Sequence, residues 1–320
     1  MNDTNSNRPK LRIIFALGIC ILLWASAFVG IRSAVGKGYS GGSLDGLYSP
    51  GSLALLRFLV ASTALGIYAY FSGMRLPKKE DIAFIILTGF VGITVYHVAL
   101  NFGERTVKAG TASFIISSVP ILTGIFSIFF FRQYLRVWGW IGIVIGFVGI
   151  AFISFSESNF DKLNWGTLLV FLAALGGSLS IMFQKKLLKK YNALEVTCYS
   201  IWAGTFFMLI FLPNLIKDLQ KASFSASMDI VYLGIFPGAI AYVLWSYSLH
   251  KFKSPAHITT FLYFSPIITM IIGVIWIGEL PNLYTIIAGL VVLAGVILAN
   301  TMGAAKLHQP EEDKKVVTEL

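Results

Sequence analysis

Charge is scarce in this chain: 12% of its 320 residues are Asp, Glu, Lys or Arg, against about 25% in ordinary soluble domains. With 56% hydrophobic residues, a water-soluble fold could not hide its apolar surface, and that class is excluded. Acids are scarcest where they would matter most. The aspartates (Asp3, Asp45, Asp81, Asp161, Asp218, Asp229 and Asp313) fall in tails, loops or the ends of apolar runs, and no acidic residue sits in the middle of one. A carrier of hydrophobic cations needs a buried carboxylate to balance its cargo, and intramembrane acids are usually functional. Their absence disfavours a polyspecific cation-drug pump. Cysteine is nearly absent too. Cys20 and Cys198 lie within apolar runs and read as small buried hydrophobes, with no disulfide and no metal site implied. Signatures of catalysis are also missing: there is no H-E-x-x-H, no pair of membrane aspartates and no Gly-x-Ser poised with a histidine. No catalytic residue and no cofactor is therefore assigned.

What the chain has instead is long apolar runs. They cover 13–31, 53–71, 82–100, 109–131, 138–155, 165–183, 196–212, 230–249, 256–277 and 283–302. Each approaches the roughly 17–25 residues that cross a hydrocarbon core of about 30 Å. The expectation is an all-α polytopic membrane protein with ten transmembrane helices and little chain left over. Ala25-Ser26-Ala27 has the small-x-small look of a signal-peptide cleavage site, but the apolar run continues through Ile31. It reads as a retained first helix.

Net charge +10 would suggest nucleic acid in a soluble protein; here it reads as topology. With the amino terminus in the cytoplasm, that side collects 17 Lys and Arg and the outer side six, while Arg32 and Arg57 lie within or at the edge of spans. The positive-inside bias then puts both termini in the cytoplasm of a multi-pass inner (plasma) membrane protein. Residues 1–10 and 306–320 are polar tails, expected to be disordered.

The chain also resembles itself. At a shift of 146 positions Leu87 falls on Leu233, Phe90 on Phe236, Gly92 on Gly238, Tyr96 on Tyr242, Pro120 on Pro266, Thr123 on Thr269 and Gly149 on Gly295. Two units follow, 11–155 and 165–303, with five spans each and a boundary in the polar stretch 156–164. Five is odd, so the second copy enters the membrane from the opposite face. Inverted repeats of this kind point to a secondary transporter with alternating access.

Several motifs are similar to those of the EamA-type exporters of the drug/metabolite transporter superfamily. They are Trp24-Ala25-Ser26-Ala27-Phe28 in the first span, Arg57-Phe58 in the second and Pro120 in the fourth. Pro266, Gly278-Glu279, Gly289 and Gly295 follow in the ninth and tenth. The resemblance covers nearly everything outside the tails. It implies a carrier exporting amino acids or related small metabolites, with a cavity lined mainly by helices 1, 3, 4, 6, 8 and 9. One departure stands out: the family pairs Gly with Glu after both the fourth and ninth helices, whereas here Gln133, beside Arg132, takes the place that Glu279 holds in the second half.

The polar groups within spans are neutral or titrate near neutrality. Candidates for a substrate cavity are Trp24, Ser26, Tyr96, His97, Asn101, Ser178, Tyr242, Trp245 and Tyr263. Aromatic walls with a few polar groups suit small amphiphiles; interfacial belt or core packing is the other reading of the aromatics. His97 could bind substrate or relay a proton, or bond a neighbouring helix. Helix 9 also offers His257, Thr259 and Thr260, of which His257 follows Pro255 near a span end and is the weaker candidate. Arg32 snorkels most simply to the interface. Arg57 lies inside its span and needs a carbonyl or acidic partner, with a structural role favoured over substrate contact. Pro120 and Pro266 interrupt matched helices and are candidate hinges, or static bends. Gly139, Gly142, Gly146 and Gly149 give small-residue spacing for packing within the protomer first, a dimer face second. The expected partners are a small-molecule substrate and the lipid bilayer, not nucleic acid, in a monomer or weak homodimer. The alternatives are a drug or other metabolite carrier of the same fold or, in a different class, an intramembrane enzyme or sensor.

Overall fold

The computed structural model describes residues 8–35, 48–131, 136–157, 164–222, 224–252 and 255–302, all helix or short connection. Apart from residues 8–10, which are helical, the expected tails fall outside it, as do Lys37, Arg132, Gln133 and Lys162. The side chains of His257 and Thr260 are likewise outside the described set. Seven helices are long and apolar enough to span a bilayer: α1 (Arg12–Val35), α2 (Pro50–Phe71), α3 (Lys79–Gly103), α4 (Ala109–Phe126), α6 (Trp165–Leu187), α7 (Ala193–Leu219) and α8 (Ala226–Lys251). Three shorter apolar helices accompany them: α5 (Val137–Phe152), α9 (Phe261–Ile277) and α10 (Leu283–Leu298). Helical backbone ahead of α1 reaches back to Arg8, because Pro9 occupies the first turn, where no backbone donor is required.

Helix ends are set by local chemistry. The Asn164 side chain accepts from the Gly166 N–H at the start of α6, and Asn192 and Glu195 form a reciprocal capping box on α7. Asn282 caps α10, and Gly278 ends α9 with φ 65°, a backbone conformation that a side chain would strain.

Several helices are not α-helical throughout. Within α3, Phe90–Val95 is wound as a π-helix, and within α8 so is Gly234–Ile240, which contains Pro237. Under the 146-residue shift these two segments overlap. The α-helix of α4 stops at Ile116 and resumes at Val119, one residue before Pro120. The 3₁₀ turn Thr260–Phe264 ends two residues before Pro266. Proline withholds one donor and crowds the carbonyl four residues back, so both breaks fall in the turn where that conflict arises.

Helix pairings have a regularity of their own. The main contacts are α5 on α10, α4 on α9, α2 on α7, α1 on α8 and α9, α3 on α6 and α7, α2 on α8, and α4 on α6. Replacing each helix by the one five places along reproduces the same set. Between apolar helices in lipid, association rests on close packing. Gly295 illustrates it: a Cβ there would lie 2.6 Å from the Gly142 carbonyl, and one on Gly149 would lie 2.9 Å from the Val292 nitrogen. These glycines of α5 are occupied by α10 of the same chain. Large apolar side chains such as Trp138, Val148, Phe206, Ile275 and Leu290 stay exposed on the outside, where lipid would meet them.

Candidate functional site

Between the helices lies a cavity of about 80 Å³ for the centres of water-sized molecules. One water needs about 10–15 Å³ by that measure, so several waters or one small solute would fit. Its wall takes Trp24, Phe28 and Ile31 from α1, Arg57 from α2, Tyr96, His97 and Leu100 from α3, and Ser113 and Ser117 from α4 with its following turn. Ser180, Ile181 and Gln184 come from α6, Tyr242 and Trp245 from α8, and Leu262 and Ser265 from the α9 region.

An aromatic cluster forms one side. Trp24 meets Tyr242 edge-on with ring centres 5.3 Å apart and Trp245 at 5.2 Å. The Tyr242 hydroxyl and His97 Nε2 share a hydrogen bond of 2.6 Å, and the His97 ring packs against Phe58 at 4.4 Å and Tyr96 at 4.7 Å. The π segment of α8 explains two further contacts. Pro237 has no N–H to give the carbonyl four residues back, that of Leu233, and Arg57 Nε donates to it at 3.1 Å. The Pro237 carbonyl in turn accepts from Trp24 Nε1 at 3.3 Å. Such π turns are frequent at functional sites; here one fixes both a cation and an indole at the cavity wall.

Of the residues singled out in the sequence, Trp24, Tyr96, His97, Tyr242 and Trp245 thus meet at one cavity, together with Arg57. The others point elsewhere. Ser26 bonds its own helix at Leu23 and the Tyr232 hydroxyl at 2.9 Å; Asn101 donates to the Pro50 carbonyl; Ser178 donates to Ala174 and Val119. Tyr263 packs half-buried against the core and does not line the cavity. Gln184, Ser113, Ser117 and Ser265 line the cavity as well. Their positions depend on helix rotation, which apolar runs without a polar face leave undetermined.

At the end of the bundle where α1 terminates, charged groups tie the helices together. Arg32 Nε pairs with Glu279 Oε1 at 3.0 Å, and Arg32 Nη1 donates to the Glu104 carbonyl at 2.7 Å. The other Glu279 oxygen accepts the Ala109 N–H at 3.1 Å, at the amino end of α4, where a helix favours an anion. Arg32 therefore bridges helices rather than snorkelling to an interface, and Glu279 ties α1, α4 and the turn after α9. Glu104 is fully buried, and neither of its carboxylate oxygens has a hydrogen-bond partner. At the opposite end Arg75 pairs with Glu195 through two bonds, and Lys190 bonds Asp81 at 2.7 Å. That hydrogen bond holds the Lys190 ammonium above the ordinary lysine pKa. Among the described residues no three of His, Cys, Asp and Glu stand together as a metal site requires.

The profile of the EamA-like transporter family matches residues 12–155 and again 164–301. The chain belongs to that family. An uncharacterized transporter of Bacillus subtilis, YdfC, is 38% identical over 90% of this chain and 91% of its own length. A probable terminal-alkyne amino-acid exporter of Streptantibioticus cattleyicolor is 35% identical over 90% of this chain and 93% of its own. YedA of Escherichia coli, an uncharacterized inner membrane transporter, is 24% identical over 91% and 92% respectively. A crystal structure with a TM-score of 0.61 and 17% identity covers 91% of this chain and 98% of its own, a likeness of fold. This EamA-like protein is accordingly a membrane-embedded transporter with a small-molecule substrate.

Proposed function

We propose that this EamA-like transporter is a ten-span inner-membrane carrier of two inverted five-helix units, 11–155 and 165–303, with both termini cytoplasmic. It exports amino acids or related small zwitterions by alternating access. The observation that carries the reading is the cavity, enclosed by helices of both units and small enough for a single metabolite. Three things support the two-unit arrangement: helix pairings that survive exchange of the halves, π turns at matched positions, and breaks before both Pro120 and Pro266. The Streptantibioticus relative, named as an amino-acid exporter, supports the substrate class.

In this cycle Arg32, Glu279 and the amino end of α4 form the outer closure. Pro120 and Pro266 are the hinges about which α4 and α9 part it. The test is counterflow of labelled amino acids in proteoliposomes. Uptake against a preloaded excess is expected for at least one neutral amino acid. A panel of the neutral amino acids that shows no exchange above empty liposomes removes the amino-acid carrier.

A further inference from the structure

Arg57 is a buried cation with an incomplete set of partners. It is 1% exposed, yet it belongs to the cavity wall. Among the described residues the ion pairs are Arg32 with Glu279, Arg75 with Glu195, and Lys190 with Glu80 and Asp81; Arg57 is in none of them. Its Nε is held by the Leu233 carbonyl, while Nη1 meets no acceptor. Glu104 is the acid whose charge reaches it, without coming within bonding distance. A guanidinium does not shed its proton, so the charge stays. A buried cation without a bonded counter-ion is costly, and one in the wall of a solute cavity within a membrane points to a binding function.

The rest of the wall defines what kind of anion fits. His97 Nδ1 also lacks a partner, and it becomes a donor when Tyr242 donates to Nε2. Trp24, Trp245 and Phe28 offer apolar surface, and among the described residues no carboxylate lines the cavity to receive an ammonium group. The sequence argument favoured a structural role for Arg57. The Leu233 contact supplies one through Nε alone, and Nη1 of the guanidinium fork is left over. A carboxylate matches that fork in geometry and charge.

We propose that Arg57 is the anion anchor of the cavity: it binds the carboxylate of the transported solute, whose apolar part lies against Trp24 and Trp245. The inference rests on the carrier reading above and deepens it. The recognised class is small monocarboxylates with an apolar tail, amino acids included, and the carboxylate rather than the amine is the required group.

The test is titration calorimetry on the purified full chain with four probes: 3-phenylpropionate, phenylalanine, phenylalaninamide and 2-phenylethylamine. The two acids are expected to bind about 10- to 100-fold more tightly than the amide and the amine, the range of a charge-assisted hydrogen bond. Arg57→Gln should abolish that preference, with the acids losing affinity and the amine losing none. Arg57→Lys, which keeps the charge but not the fork, should retain part of it. Equal binding of acid and amine by the unaltered protein, or binding of none of the four, overturns the anchor. So does an acid preference that persists in Arg57→Gln. Should Arg57→Gln not fold, an unchanged acid-to-amide ratio in Arg57→Lys overturns it equally. Counterflow separates the two claims: exchange that proceeds with amides as readily as with acids sinks the anchor alone, whereas acid binding without any exchange sinks the carrier.

Discussion

Tyr242 and His97 come from helices far apart in sequence and share a hydrogen bond across the bundle. The pair is buried, with His97 3% exposed, and Trp24 and Phe58 close over it. Tyr242→Phe keeps the ring and its edge contact with Trp24 but removes the hydroxyl from Nε2. A buried acceptor or donor left unmet costs about 1–3 kcal/mol. Thermal unfolding of purified Tyr242→Phe should therefore begin several degrees lower than in the parent, although shape is conserved. An unchanged unfolding temperature would mean that the 2.6 Å contact contributes nothing net. Trp24→Phe provides the contrast, since it removes the indole donor to the Pro237 carbonyl and leaves the His97–Tyr242 bond alone.

At the scale of the element, the π segment of α8 exchanges helix stability for site geometry. Pro237→Ala would restore an N–H beneath the Leu233 carbonyl, which now accepts from Arg57. Proline inside a helix costs about 3 kcal/mol, so the variant should unfold at an equal or higher temperature. Arg57 would lose its fixed orientation. Solute affinity should then fall about tenfold or more, since a hydrogen bond to a charged group is worth about 1.5–3 kcal/mol. A variant that is both more stable and fully competent would detach the π turn from the site. Seven of the helices were legible because each is a nearly unbroken hydrophobic run of spanning length, whereas three expected spans are shorter helices among the described residues; the caps at Asn192 and Gly278 follow from side-chain type. The π turns were not. They depend on what a helix packs against, and Pro237 between Gly234 and Gly238 marks an interruption without saying of what kind. Helix rotation was equally hidden. Ser26, Asn101 and Ser178 resemble the lining residues in composition, yet each is turned to a neighbouring backbone or hydroxyl.

For the molecule as a whole, the decisive contact links residues 247 positions apart. No local pattern announces it: Arg32 looked like a terminal snorkelling residue and Glu279 like half of a motif. In the proposed cycle their pairing is the outer closure, and Ile31, next to Arg32, lines the cavity. Glu279→Gln keeps an acceptor for the Ala109 N–H but cancels the attraction to Arg32 and to the amino end of α4. Each such term is worth about 0.3–1 kcal/mol, more when partly buried. Arg32 and Glu279 are only 12% and 15% exposed, so a total of about 1–2 kcal/mol is expected. That shifts the ratio of outward-open to closed molecules about 5- to 30-fold. A cysteine introduced by Ile31→Cys reads this directly, because Cys20 and Cys198 are buried and should react slowly. A membrane-impermeant maleimide applied from outside should label that cysteine faster, by roughly the same factor, when Glu279→Gln is also present. Identical labelling rates with and without Glu279→Gln would show that the ion pair fastens the helices without gating the path, and the outer closure would have to be sought in the apolar contacts around Ile31 and Leu100.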